Sequence, residues 1–219
     1  MLRDVGVRLR QNTSNAADYF SIMRNFLGSS GHEQKAFADA YKRMGKLLTN
    51  NPTTFTEYYQ QNRDRLTSTL RPEHYGKLIM FRYNAKWKDE LPYWDRYPLV
   101  MPVRTEGKHL TGLNFHYLFP QLRAQLLDAI VDNNARNKFY DNRRIRINMN
   151  IIARASRSRL YQPCVKKYIL QSKHVQTQFL IVPPEDYKFV LFLPYEMFQK
   201  ESKEYVWADS IRKIRKAAH

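Results

Sequence analysis

The sequence predicts an α+β domain over residues 76–219: a curled, mostly antiparallel small sheet or barrel with helices packed outside it, preceded by a helical N-terminal arm over residues 1–75. Three observations predict it. At Gly76 the texture changes from polar, helix-spaced sequence to short apolar runs separated by turns. Apolar runs at 99–103 and 110–118, and again at 179–183 and 187–194, flank turn residues, as hairpins require. Two stretches, 120–133 and 203–216, place their apolar residues on one helical face.

In the arm, Ile22, Met23, Phe26 and Leu27 form a short amphipathic turn ended by Gly28 and Gly31. Phe37, Ala40, Tyr41, Met44, Leu47 and Leu48 recur at spacings of three and four, and Asn50, Asn51 and Pro52 stop that helix. Phe55 to Leu70 carries an uneven apolar stripe. Lys and Arg outnumber Asp and Glu by 11 to 7 over residues 1–75, and large aliphatics are few. Such a segment reads as an arm that docks on a partner, or as partly ordered helices packed on the following domain.

Beyond Gly76, LIMFRY (78–83) is a strand, and 91–103 opens as an aromatic turn and becomes a strand at Leu99. Glu106–Gly107 turns the chain into a strand over 110–118. Pro120 suits a first helical position, and Leu122, Leu126, Leu127, Ile130 and Val131 share one face of the helix that follows. RRIRINMN (143–150) alternates Ile145, Ile147 and Met149 with Arg144, Arg146 and Asn148, which predicts a strand with its arginines facing out. Helices are expected over 151–159 and 163–171, and a hairpin around Pro184–Glu185–Asp186. In the last helix, Val206, Trp207, Ile211 and Ile214 form the apolar face, and cations fill the final turn, where the helix dipole favours them.

Composition narrows the function. Hydrophobic content of 43% and aromatic content of 14% suffice for a core. The single cysteine, Cys164, excludes an internal disulfide and a multi-cysteine metal site. No run approaches the ~20 apolar residues of a membrane span, and the N-terminal residues lack an apolar signal core. The expectation is a soluble, intracellularly made protein with no membrane partner.

Charge is the strongest functional signal. The whole chain has a formal net charge of +17. Residues 136–173 hold eleven Lys or Arg against the single acid Asp141, so more than half of that charge lies in one segment. An ordinary solvated face would intersperse acids. A field this dense attracts a polyanion, and arginine forks onto phosphate in two-point geometry. The candidate nucleic-acid contacts are Arg143, Arg144, Arg146, Arg154, Arg157, Arg159, Lys166 and Lys167. The expected partner is double-stranded DNA, bound with little sequence preference.

Catalytic signals are weak beside it. Trp87, Tyr93, Trp94 and Tyr97 could stack on bases, yet Pro92 and Pro98 fix a turn there and aromatics commonly cap a small β core. His116 has no evident nucleophile beside it. Lys166 and Lys167 would lower the pKa of Cys164 if the thiol were exposed; a buried structural thiol is the competing reading. Glu33–Gln34–Lys35 and Glu201–Ser202–Lys203 spell a fragment common in nucleases, but a magnesium site needs a second carboxylate. Only Asp95 and Asp186 offer one, and both read as turn residues. Walker, HExxH and Gly-x-Ser-x-Gly motifs do not occur. The sequence therefore predicts no enzyme, cofactor or metal.

Five blocks occur in a telling order: KLIMFRYNAKWKDELPYWDRYPLVMPV, GLNFHYLFPQLRAQLLDAI, QPCVKKYIL, VLFLPYEMF and VWADSIRKIR. Over residues 77–216 this resembles a family from T-even-like tailed bacteriophages whose members share an LPYYDxFPLV block, a GLNxHYL block, a KPCIKKYL block, an FLP strand and a terminal VWxxSxRKIR. The resemblance implies a virion protein labelled a DNA end protector, which binds the ends of packaged DNA. It implies other phage structural proteins of the portal, neck or tail as partners, and residence in the virion and, during assembly, in the host cytoplasm. The alternative is a structural subunit of the neck, tail or baseplate whose basic surface docks on acidic neighbours.

Overall fold

The computed structural model describes residues 55–118, 122–123, 126, 141–187 and 196–216. The helical segments expected over 21–28 and 37–48, and the second arm of the hairpin expected over 179–194, lie outside those residues.

Among the described residues, eight strands and three α-helices have both bounds defined, and they are named in chain order. They are α1 (Phe55–Gln61), β1 (Leu66–Thr67), β2 (Leu78–Met80), β3 (Trp94–Asp95), β4 (Leu99–Glu106), β5 (His109–Asn114), α2 (Asp141–Arg157), β6 (Val165–Ile169), β7 (Phe179–Val182), β8 (Phe198–Gln199) and α3 (Lys203–Lys216). Six strands form one antiparallel sheet in the order β1-β7-β2-β4-β5-β6, and β3 and β8 pair separately. The sheet is open, with β1 and β6 at its edges, so the barrel alternative is corrected: the two edge strands do not pair.

The sheet is covered on both faces. One face presents Leu78, Met80, Leu99, Met101, Leu113, Leu180 and Val182 to Ile152 and Ala155 of α2, Val206 of α3, and Phe55 and Tyr58 of α1. The other presents Ile79, Phe81, Val100, Leu110, Tyr168 and Phe179 to Tyr83 and Ala85, and its rings meet edge to face. Burial on both faces explains why LIM and LVM read as unbroken apolar runs rather than alternating ones. The β4–β5 turn needs Gly107 at φ +57, a left-handed position. Gly112 is needed for a different reason: a Cβ there would collide with Val100 Cγ1 of β4.

Residues 55–67 belong to this core. Phe55 stacks on Tyr97 at 4.3 Å, and Leu66 and Thr67 pair with Leu180 and Phe179. Tyr58 and Arg65 both bond Asp186 Oδ2, at 3.0 and 3.2 Å.

Two local expectations are overturned. Residues 143–150 are not a strand; they form the first part of α2. Ile145, Ile147 and Met149 alternate, but only across five residues. Over the longer window Ile145, Met149, Ile152 and Ala155 recur at four and three, and the helical period prevails. The expected outward row of Arg144 and Arg146 on a strand falls with it. Residues 163–171 are not a helix: a 3-10 turn over Arg159–Cys164 delivers the chain into β6. Pro163 stops helical propagation, and Val165, Tyr168 and Ile169 suit the edge beside β5. Cys164 is buried at that junction; its Sγ donates to Tyr161 O at 3.0 Å, and burial pushes the thiol up to about 12.

Candidate nucleic-acid interface

The eight cations singled out by sequence occupy three environments. Arg143, Arg144 and Arg146 lie in the first half of α2, where side chains fall outside the described part. Arg154 and Arg157, one turn apart near the end of α2, are exposed, as are Arg159 in the 3-10 turn and Lys167 in β6. None of these four pairs with a carboxylate among the described residues. The 159–164 turn packs against both α2 and α3; Arg215 and Lys216, in the last turn of α3, are also exposed.

Lys166 differs from all of them. It stands opposite Gly112 across the β5–β6 ladder, where no side chain competes for the space. Its ammonium lies 3.9 Å from the centre of the Tyr117 ring. Burial, with the Lys213 charge adding to it, pushes Lys166 down to about 8. Lys213 itself is held by Asp209 at 2.6 Å and bonds Tyr93 Oη at 3.2 Å.

Lys166 and Lys167 form part of the lining of a cleft of about 350 Å³ beside the β6 edge. Its walls are aromatic: Tyr83, Trp87, Tyr93, Trp94, Tyr117 and Tyr168. Tyr93 is buried and Trp94 half-buried, which fits the packing reading of the aromatic block; Tyr97 serves the core through Phe55. Trp87 does not pack away: it is 53% exposed, with Lys86 Nζ 4.5 Å from its ring centre.

A buried polar layer fixes the cleft floor. Asp95 Oδ2 lies 2.7 Å from His116 Nδ1 and accepts from Asn114 Nδ2 at 2.9 Å, while its Oδ1 accepts from Tyr97 N–H at 3.0 Å. Asn114 also donates to Tyr168 Oη at 3.0 Å. Trp207 of α3 donates its indole N–H to His116 O at 2.9 Å. Nearby, the buried Arg123 guanidinium is paired with Glu196. Burial, the largest single influence, would push the Glu196 carboxyl up; the charges of Arg123, His116 and Lys203 and the Arg123 hydrogen bond together outweigh it and hold Glu196 at about 2.

Asp95 therefore serves as a structural acceptor, engaged by Asn114, His116 and the Tyr97 amide. Asp186 serves Tyr58 and Arg65 instead. Among the described residues, no group of three His, Cys, Asp or Glu is placed to hold a metal ion. Sequence reading missed the Asp95–His116 pair. The available signal was Asn114 and His116 inside an otherwise apolar run, since buried polar groups require partners.

A family model described as Phage T4 terminal DNA protecting protein matches residues 36–214. The chain belongs to that family. No curated protein and no solved structure matches it. In this member of the terminal DNA protecting family, four of the five blocks that carry the resemblance meet in the polar layer and cleft. The LPYWD block supplies Tyr93, Trp94 and Asp95, and the GLNFHYL block Asn114, His116 and Tyr117. The CVKKY block supplies Lys166, Lys167 and Tyr168, and the terminal VWADS block Trp207 and Asp209.

Proposed function

We propose that this chain is a non-enzymatic phage virion protein that binds double-stranded DNA at the genome terminus and shields it. The observation that carries the reading is the set Arg154, Arg157, Arg159 and Lys167: exposed, clustered in sequence, and without a carboxylate partner among the described residues. Cations serving surface stability would be paired with acids. Cations left open are available to phosphate, and the family's description names the ends of DNA as what is protected. Arg143, Arg144, Arg146 and Lys166 complete the proposed set of contacts.

A titration of duplex DNA over several salt concentrations tests this. With six phosphates neutralised, log K falls against log salt with a slope of about −5. A linear duplex should also compete better than a closed circle and resist exonuclease when bound. Folded protein that ignores duplex DNA at low salt, yet co-sediments with neck or tail structures, would establish the assembly-subunit reading instead.

The N-terminal arm is the segment we propose docks on other virion proteins of the portal, neck or tail. Deleting residues 1–54 should leave a cooperatively unfolding protein that no longer attaches to particles. Deleting residues 1–75 also removes Phe55, Tyr58 and β1 from the core and should give a molten product. A fragment 76–219 with a sharp transition would show that the core is complete without that segment.

A further inference from the structure

Phosphate contacts are blind to where a DNA molecule stops, because every backbone position offers the same charge. End recognition needs a feature that only an end presents. A terminal nucleotide stacks on one neighbour instead of two, and so leaves the helix at the least energetic cost.

We propose that the aromatic cleft beside β6 receives the unstacked terminal nucleotide of a DNA strand, its base against Trp87 and its phosphate on Lys166 and Lys167. This deepens the DNA-end reading and rests on it. The volume, about 350 Å³, falls in the range of sites for one small ligand and is far too small for a base pair in its helix. The walls are tyrosine and tryptophan rings, whose faces accept any base. Trp87, at 53% exposure, leaves a large aromatic surface open to a ligand. The rim is cationic, with Lys86 over the Trp87 ring and Lys167 exposed at the strand edge. Lys166 forms no ion pair among the described residues; its ammonium rests on the Tyr117 ring and lines the cleft, with the Asp209 carboxylate engaged by Lys213. The one carboxylate of the floor, Asp95, is already occupied by Asn114, His116 and the Tyr97 amide. The carboxylate is thus committed to the fold, and with stacking on aromatic rings as the main contact, recognition is sequence-tolerant, as protection of arbitrary termini requires.

The test places a fluorescent aminopurine either at the terminus or at the centre of a short blunt duplex, with a closed circular duplex as the end-free control. Wild-type protein should change the emission of the terminal probe and leave the central one unchanged. Trp87→Ala removes an exposed ring and should abolish the terminal signal. It should also reduce the preference for linear over circular DNA by about tenfold or more, while affinity for the circle stays the same. Lys166→Met should weaken the terminal signal in the same way. Identical responses from terminal and central probes, or an end preference that survives Trp87→Ala, would overturn the inference. If the circle binds with a steep salt slope while the terminal probe stays silent, only the cleft assignment falls. If no duplex binds at all, the DNA reading falls and the cleft with it.

Discussion

Arg157 and Lys166 are close in sequence and equal in formal charge, yet they belong to different regions of the molecule. Arg157 ends α2 in open solvent, whereas Lys166 is half-buried against Tyr117. Arg123, buried completely against Glu196, extends the series inward. The contrast shows that one residue type does three jobs according to depth. An exposed cation contributes field and on-rate, a half-buried one contributes a tunable contact, and a buried one holds the fold through its partner.

The largest effect should come from the deepest charge. Arg123→Ala removes the ion-pair partner of a buried carboxylate, Glu196, and should cost about 3–5 kcal/mol, read as a lower denaturant midpoint. The same pair has a pH signature. With Glu196 held at about 2 in the folded state against an ordinary 4.5, its stabilisation is full above about 4.5 and is lost as pH falls through 2. Arg123→Ala should flatten that acid limb. An unchanged midpoint would break the depth comparison.

Next come the exposed arginines. Replacing Arg154, Arg157 and Arg159 together by Gln should leave the thermal midpoint nearly unchanged and reduce the salt slope of DNA binding by about three, one for each lost phosphate contact. A lower midpoint with unaltered DNA affinity would assign them to structure and favour an assembly role.

Lys166 should show a smaller, pH-dependent effect. The groups around it are Lys213 and Asp209 on α3, Cys164 before β6, and the rings of Tyr93 and Tyr117. Its ammonium deprotonates near 8 in the folded protein, so binding of DNA ends should weaken as pH rises from 7 to 9. Fold stability should respond with the opposite sign. A lowered lysine pKa means that the unfolded chain holds more protons between about 8 and 10.5, and stability rises with pH there. Lys166→Met should remove both trends. The smallest effect is expected from Tyr93→Phe, which removes a hydroxyl bonded to Asp209 at 2.5 Å and to Lys213, and should cost about 0.5–1.5 kcal/mol in thermal stability.

The parts of the fold legible in the sequence were those where one period dominates. α3 was readable end to end because Val206, Trp207, Ile211 and Ile214 recur at helical spacing with no competing alternation. β2, β4 and β7 were readable as apolar runs between turns. The first half of α2 was misread because its Ile145–Met149 segment satisfies both periods, and the shorter window favours the wrong one; its second half matches the helix expected over 151–159. β6 was misread because two lysines interrupt a strand whose pairing with β5 is a long-range fact. The cations of the site could be named from sequence, but their depths could not. The cleft was invisible, since its walls come from three separate stretches brought together by long-range contacts such as the β5–β6 ladder and the Asp95–His116 bond.

Cys164 gives the molecule a built-in clock. It is the only thiol in the chain, and it is buried with its proton held to about 12. A thiol reagent added to native protein can react only in the moments when the β6 junction opens, so its rate counts those openings directly. If a DNA end seated in the cleft clamps β6, that clock should slow on adding linear duplex and keep its pace with circles.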